Sequence, residues 1–502
     1  MFTTCIKFFD RLDEAGISYC HWKSNEHLEA ALSGQTDLDI LVATESRETF
    51  AEVARSLGFV RFIPVPYLRY RSIEDYIGID ELDACLIHAH VHFALEIGRK
   101  FVKNFHLPWE AGMFRDSVLF DATRVRIASP EWELVVLIIR RAAKGMGSLP
   151  FSLSIETFSA DEQREFEWLK ARIDTDAFSA LTLELFPANI AYKLFEAVKS
   201  DEKRALSKVF TSIRNRILPG FAATASPSDR EPFVTLRYAA RKLRAAMTLT
   251  AYKKFGAAMP YRRYLPGRGV LIAFLGADGS GKSTVLSGLR SWLSWKIDFR
   301  QVYFGSGDGK ASLLRAPLRM VARLRTHRRG DVSNLTKAEK DRDASRPSLR
   351  AAKIVWAFLL AKEKLRKARF IARARERGLI VLTDRYPQAR FEGLNDGPLL
   401  GDLKDHRNPV LRSLGRWERN VYEHLQTMSP DLVIKLSVPL EIALERKKDT
   451  PAYVIREKAR IVEALSYAGS PSVSIRTDVD LEVTMREARR AVWQAIRTCH
   501  GN

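Results

Sequence analysis

The segment Gly276-Ala277-Asp278-Gly279-Ser280-Gly281-Lys282-Ser283-Thr284 carries the most specific chemistry in this sequence. Three glycines free the backbone N–H groups to curl around phosphate oxygens, which side chains would block. Lys282 then reaches toward the outer phosphates, and Ser283 offers a hydroxyl to a divalent ion. An apolar run, Val270–Leu275, precedes the loop with the length of a buried strand. A helical pattern with Val285, Leu289 and Trp292 on one face follows it. The helix start adds partial positive charge beneath a bound anion. Gly276, Asp278, Gly279, Ser280, Gly281, Lys282, Ser283 and Thr284 are therefore the residues expected around a nucleoside triphosphate, with Mg²⁺ on Ser283.

Two further segments fit phosphoryl chemistry. Leu379–Thr383 is a buried strand ending in Asp384-Arg385-Tyr386. An acid there can hold a metal through water or orient an acceptor, and Arg385 can grip a phosphate with its planar fork. The segment from Pro430 runs as strand and then helix into Arg446-Lys447-Lys448. Such a cluster can close over transferring phosphates as a lid, or simply cap the helix dipole. Asp278, inside the loop, points to acceptor contact.

A separate pair of acids stands in Gly34-Gln-Thr-Asp37-Leu-Asp39-Ile-Leu-Val42. Spacing of i and i+2 puts both carboxylates on one strand face, where they can hold divalent ions or remain solvated. Ile87–Glu96 reads as a later strand with His88, His90 and His92 on one face. Glu96 or His90 is a candidate third ligand, with a metal or catalytic role for His90 or His92. The alternatives are a solvated polar face and a three-histidine zinc site.

The elements that must position these groups are α/β throughout. The chain has 502 residues, enough for several domains, with a formal net charge of +21. Four scattered cysteines give neither a disulfide framework nor a Cys-rich zinc site. From the charged first turns no signal peptide is expected, and no apolar run has membrane-span length, so a cytoplasmic location is expected. Residues 1–130 alternate helix and strand: helices at Phe8–Ala15, Asn25–Leu32 and Arg47–Leu57, strands at Tyr19–Trp22 and Leu38–Val42. Residues 131–225 lean helical, with Trp132–Lys144, Ala160–Ile173 and Ala188–Lys199. Leu218–Pro232 reads as a boundary. From 226 to 268 comes a basic segment. Phe233, Leu236, Ala240, Leu243 and Met247 recur in it at helical spacing among arginines and lysines. It reads first as an interdomain helix with its charges in water; the alternative is an amphipathic helix whose partner is an anionic membrane at the inner face or another polyanion. Residues 269–502 form the last unit, with strands at Val270–Leu275, Gln301–Phe304, Leu379–Thr383 and Leu432–Val438. A Gly-, Arg- and Ser-rich insertion at 306–350 holds the cluster Arg315 to Arg329.

The loop with Asp278 embedded, Asp384-Arg385-Tyr386, and the Pro430–Lys448 segment together resemble the thymidylate kinase family of nucleoside monophosphate kinases. The resemblance covers about residues 269–500. It implies a three-layer P-loop NTPase fold with a parallel sheet and ATP on Gly276 to Thr284. It also implies catalytic roles for Lys282, Asp384, Arg385, Arg446 and Lys448, and Mg²⁺ at Ser283 and Asp384. The expected activity is transfer of the γ-phosphoryl of ATP to a nucleoside monophosphate or related small polar acceptor, in a homo-oligomer. Where that family carries Arg-Glu-Pro-Gly, this chain has Phe304-Gly-Ser-Gly-Asp-Gly309. Its base-contacting stretch is replaced by Pro387 to Pro398, with Asn395 and Asp396 as acceptor contacts or turn formers. Residues 1–125 resemble the polymerase-β type of nucleotidyltransferase, an α+β fold with Ser24 and a metal pair at Asp37 and Asp39. Lys23 stands where the usual glycine would be. This pairing leaves nucleotide binding or transfer, nucleic-acid end processing and an NTP-driven switch as competing readings. No aromatic-interleaved basic module favours nucleic acid.

Overall fold

A computed structural model describes residues 1–120, 123–144, 157–200, 202–221, 233–305, 347–448 and 450–500. Within the 306–350 insertion the structure describes only 347–350, which open a helix, and the Arg315–Arg329 cluster lies outside the described residues. The chain divides into two compact units. One is Met1–Ala257 with Tyr261–Arg263 and His500–Asn502; the other is Ala258–Pro260 with Tyr264–Cys499.

The first unit holds strands β1 (Tyr19–His21), β2 (Leu38–Val42), β3 (Val60–Phe62), β4 (Ile73–Ile79), β5 (Leu86–His92), β6 (Leu95–Arg99), β7 (Val102–Leu107), β8 (Val118–Phe120) and β9 (Val125–Ile127). Seven of them make a sheet in the order β3-β4-β5-β2-β1-β9-β8, while β6 and β7 form a hairpin of their own. The two-residue period of a strand divides the side chains cleanly. Leu38, Ile40 and Val42 of β2 join Ile87, Ala89 and Val91 of β5 in a core with Phe8, Phe9 and Phe50. Cys20, Trp22 and Leu41 point the other way, into a core shared with the helices Pro130–Lys144, Ala160–Lys170, Thr175–Leu185, Ala188–Ser200 and Lys203–Arg216. Asp39 and the three histidines of β5 are on this second face by the same alternation.

The expected strand from Ile87 to Glu96 is two strands. β5 ends at His92, and the chain then bends, with Phe93 N–H donating to Ser72 O and Glu96 N–H to Ala94 O. Glu96 therefore lies on β6, paired in register with His106, and not on the histidine strand. The first helix spans Thr3–Glu14, starting earlier than the periodicity predicts, because Thr4, Cys5, Phe8, Phe9 and Leu12 all bury.

The second unit is built on β10 (Leu271–Gly276), β11 (Phe299–Tyr303), β12 (Ile380–Asp384), β13 (Leu432–Ser437) and β14 (Ser472–Arg476), in the order β11-β12-β10-β13-β14. All four pairings are parallel. Leu271, Ala273, Val381 and Val433 bury in its core with Ile371 and Ile461 from covering helices. Near-continuous apolar strands are what a sheet covered on both faces requires. In a parallel sheet every strand delivers its following loop to the same edge, so the loops after β10 and β12 are neighbours. The register Phe274↔Asp384 places Asp384 beside the glycine loop.

Candidate functional site

The glycine loop turns sharply out of β10 into the helix Lys282–Ser294. Gly279 and Gly281 have φ of +84° and +73°, the left-handed region that only glycine enters at little cost. A Cβ on Gly279 would lie 2.8 Å from Ala443 O, so the loop also needs the missing side chain for space. Lys282 Nζ folds back onto Gly276 O at 2.7 Å and Ala277 O at 2.8 Å. Burial, then the Arg385 guanidinium, pushes its amine down to about 8. Ser280 Oγ is buried with no hydrogen-bond partner. Ser283 and Thr284, on the first turn of the helix, are exposed.

Asp384 ends β12, and its Oδ1 is buried without a partner. Burial raises its carboxyl above the usual range, against the pull of Lys282 and Arg385. Arg385 has φ of +67°, an unusual conformation for a long side chain. Its N–H donates to Phe274 O at 3.0 Å, which fixes the turn. From there its guanidinium donates to Asp278 Oδ1 at 3.1 Å and faces Asp396 at 3.6 Å. An orphaned carboxylate oxygen, an orphaned hydroxyl and a loop that excludes Cβ atoms fit a phosphate group with its divalent ion.

Of the expected lid residues, Arg446 is seated on the loop. It donates to Gly279 O at 3.3 Å and Thr477 O at 2.9 Å. Lys447 and Lys448 are exposed. Asn395 and Asp396 occupy the left-handed region at φ +44° and +63°. Asn395 Nδ2 donates to Lys458 O at 3.0 Å, and Lys364 Nζ donates to Asp396 O at 2.8 Å. Both residues thus brace the turn.

Sequence reasoning missed Lys458. It lies on the helix Ala452–Ala464, and its ammonium meets Asp278 Oδ2 at 2.5 Å. Buried Lys364, whose amine burial pushes down to about 8, was missed as well. Neither carries a local signal; each is one lysine in a basic helix.

In the first unit the two acids of the Asp37/Asp39 pair take different partners. Asp37 meets His88 Nδ1 at 2.8 Å. Asp39 meets Lys23 Nζ at 2.8 Å, and it groups with His90 and His92, one ligand atom from each, all within 4.8 Å of one another. Burial works to raise the Asp39 carboxyl, but Lys23 and His90 hold it below its ordinary value. The further carboxylate of the cluster is Asp75 on β4, which sequence reasoning also missed. It contacts His88 Nε2 at 2.8 Å, His90 Nδ1 at 2.9 Å and Arg263 at 2.8 Å. Ser24, at φ +58°, turns the chain as a glycine would, and its N–H donates to Glu165. Nearby Glu133 is pushed up to about 8 by burial and by Glu165, and Lys103 down to about 7 by burial and by Lys23.

The helix Phe233–Phe255 turns Val234 and Thr248 inward. Phe233, Leu236, Leu243 and Met247 face outward, 54–68 % exposed. Among the described residues no helix is long and apolar enough to cross a membrane.

No protein-family model matches the chain. It is similar to the uncharacterized ATP-binding protein YghR of Escherichia coli (strain K12), 29 % identical over 236 residues, which is 46 % of this chain and 89 % of the relative. The uncharacterized ATP-binding protein YghS of the same strain is 24 % identical over 228 residues, 45 % of this chain and 93 % of that protein. Among solved structures, deoxyadenosine kinase from M. mycoides with bound dATP aligns over 44 % of this chain and 97 % of its own, at 13 % identity and a TM-score of 0.24.

Proposed function

We propose that the second unit is an ATP- and Mg²⁺-dependent phosphotransferase of the thymidylate-kinase-like group. Its acceptor is a nucleoside monophosphate or a related small polar molecule. The observation that carries this reading is the meeting of Lys282, Asp384, Arg385 and Asp278 at one edge of the parallel sheet. The ATP-binding names of YghR and YghS support the nucleotide. In-line phosphoryl transfer asks a protein for position and charge more than for covalent chemistry. The N–H groups of Gly279 to Lys282 bind phosphate oxygens, and Lys282 exchanges its two carbonyl partners for the outer phosphates. Ser283 and Asp384 would hold the divalent ion, which supplies charge neutralisation when bound. Arg385 and Arg446 bring the remaining positive charge.

The first unit is read as a nucleotidyltransferase-like domain that binds or transfers nucleotide, supported by Asp39 and the Lys23-Ser24 turn. The test of the whole is ADP release against a panel of mononucleotides, sugars and oligonucleotides, with Lys282→Ala as the control. Release with a mononucleotide or sugar, lost in the variant, supports the reading. Turnover with oligonucleotides alone, falling steeply with salt, would establish nucleic-acid end processing instead. Absence of acceptor-stimulated turnover would leave an NTP-driven switch.

The partner of the Phe233–Phe255 helix is read as an anionic bilayer. The outward stripe of Phe233, Leu236, Leu243 and Met247 runs along a helix that also exposes Lys242, Arg244, Lys253 and Lys254. No acid interrupts the helix. In this reading the apolar side chains enter the acyl boundary and the cations stay at headgroup level. Each such cation contributes about 1 kcal/mol near an anionic surface.

A further inference from the structure

We propose that Asp39, His90 and His92 form a binding site for a zinc-class divalent metal ion, which takes Asp39 out of the Mg²⁺ pair expected of Asp37 and Asp39. The three side chains offer one carboxylate oxygen and two imidazole nitrogens, all within 4.8 Å of one another. Strand geometry produces the cluster. β2 and β5 are parallel neighbours with Asp39 opposite His90, and His92 is the next residue on the same face of β5.

Two independent observations point to a ligand. His92 is fully buried, yet neither of its ring nitrogens has a hydrogen-bond partner. A buried imidazole lacking both partners is costly, and a metal–nitrogen bond would satisfy one of its two nitrogens. The other observation is the orientation of His90. Its Nδ1 lies 2.9 Å from Asp75 Oδ1, which leaves Nε2 as the nitrogen not engaged with that carboxylate. A carboxylate behind a histidine, fixing its tautomer and raising its basicity, is the usual support of a metal-ligating imidazole. Asp75 is itself held by His88 and Arg263, so the support is rigid.

The donor set decides the class of ion. Two nitrogens and one oxygen suit Zn²⁺ and its first-row neighbours, whereas Mg²⁺ takes oxygen ligands. Lys23 Nζ, 2.8 Å from Asp39 Oδ1, shows that positive charge is accommodated at this carboxylate. The metal must displace that ammonium, so Lys23 is a competitor for the site. The ring of His92 packs edge-on against Trp22 at 4.9 Å, which keeps one side of the cluster apolar.

Tag-free full-length protein, free of nucleotide, is titrated with Zn²⁺ and with Mg²⁺, and Co²⁺ is used to report nitrogen ligation by visible absorbance. The expected result is one tight Zn²⁺ that Mg²⁺ does not displace. His90→Gln and His92→Gln lose it, and Asp75→Asn weakens it by about 10–100-fold. Lys23→Met tightens it, an effect in the direction opposite to damage, which keeps the test decisive if a histidine variant folds poorly. Absence of tight Zn²⁺ binding overturns the proposal. So does binding that the histidine variants and Lys23→Met all leave unchanged. Lys282→Ala leaves this site intact, so its outcome is independent of the phosphotransferase reading.

Discussion

Arg385 donates to Asp278 across 3.1 Å, linking the end of β12 to the middle of the glycine loop. Lys458 closes on the other oxygen of the same carboxylate at 2.5 Å. One acid inside a phosphate-binding loop therefore holds two cations at the edge of the site. Asp278 is kept ionised by this arrangement: burial raises its carboxyl, and Lys458 and Arg385 more than reverse the effect. Replacing Lys458 with Met releases one constraint on Asp278, removes only a minor repulsion from Lys282 and leaves Asp384 in place. The expected outcome is a fall in kcat of about 10-fold, with KM for ATP changed less than twofold, because positioning and not nucleotide contact is lost. Steady-state kinetics over both substrates check this, and a KM effect alone would refute it.

Nucleotide binding should take up protons near pH 8. Lys282, depressed from 10.5 to about 8, is about half protonated there in the free protein. Phosphate oxygens favour its charged form, so ATP draws about half a proton from solution at that pH. Calorimetric titration in buffers of different ionisation enthalpy measures the uptake, and Lys282→Met should abolish it. The sign for stability follows from the same shift. The unfolded chain keeps this proton up to about pH 10.5, so between about pH 8 and 10.5 this lysine makes the free protein more stable as pH rises.

Asp384→Asn keeps the shape of the β12 terminus and removes its charge. Turnover should fall by about 100-fold or more, while the melting temperature holds or rises slightly, since a buried carboxylate with an orphaned oxygen is relieved. Kinetics and thermal denaturation on the same preparation separate the two effects. A variant that loses stability and activity in step would show Asp384 to be structural.

The glycine loop, β10, β12 and β13 are legible in the sequence because apolar runs bounded by glycine or an acid have few other structures open to them. The cluster partners are not. Asp75 lies in Ile73–Ile79, where nothing local distinguishes it; it meets His90 only through the antiparallel pairing of β4 with β5. Lys458 is one basic residue on an amphipathic helix, and its relation to Asp278 spans 180 positions. The bend after His92 was hidden because Phe93, Ala94 and Leu95 continue an apolar pattern, while the chain turns there with Glu96 N–H donating to Ala94 O. Periodicity reports which face a residue takes, and long-range register decides which residues share a site.

Gly279→Ala tests the loop as a conformational device. The new Cβ meets a φ of +84° and the Ala443 carbonyl at 2.8 Å, and both costs fall on backbone that cannot rotate away. A strained residue of this kind costs about 1–3 kcal/mol, so a lower melting temperature and loss of ATP binding are expected together. Gly393, at φ +74° with open space around its Cβ position, is the control. Gly393→Ala should pay only the backbone term and keep nucleotide affinity.

The outward stripe of the Phe233–Phe255 helix gives the last prediction. Co-sedimentation with vesicles containing about 30 % anionic lipid should capture the wild-type protein at low salt and release it as salt screens the exposed cations. Leu243→Glu with Met247→Glu places two charges in the stripe, 63 % and 64 % exposed, where no buried contact is disturbed. Binding should fall by more than 10-fold with the melting temperature unchanged. Neutral vesicles should capture little of either protein, since the apolar stripe alone lacks the electrostatic term. Equal capture by neutral and anionic vesicles would mean that the basic residues are idle. Capture that survives the double substitution would mean that the helix is not the contact, and the membrane reading would then fail.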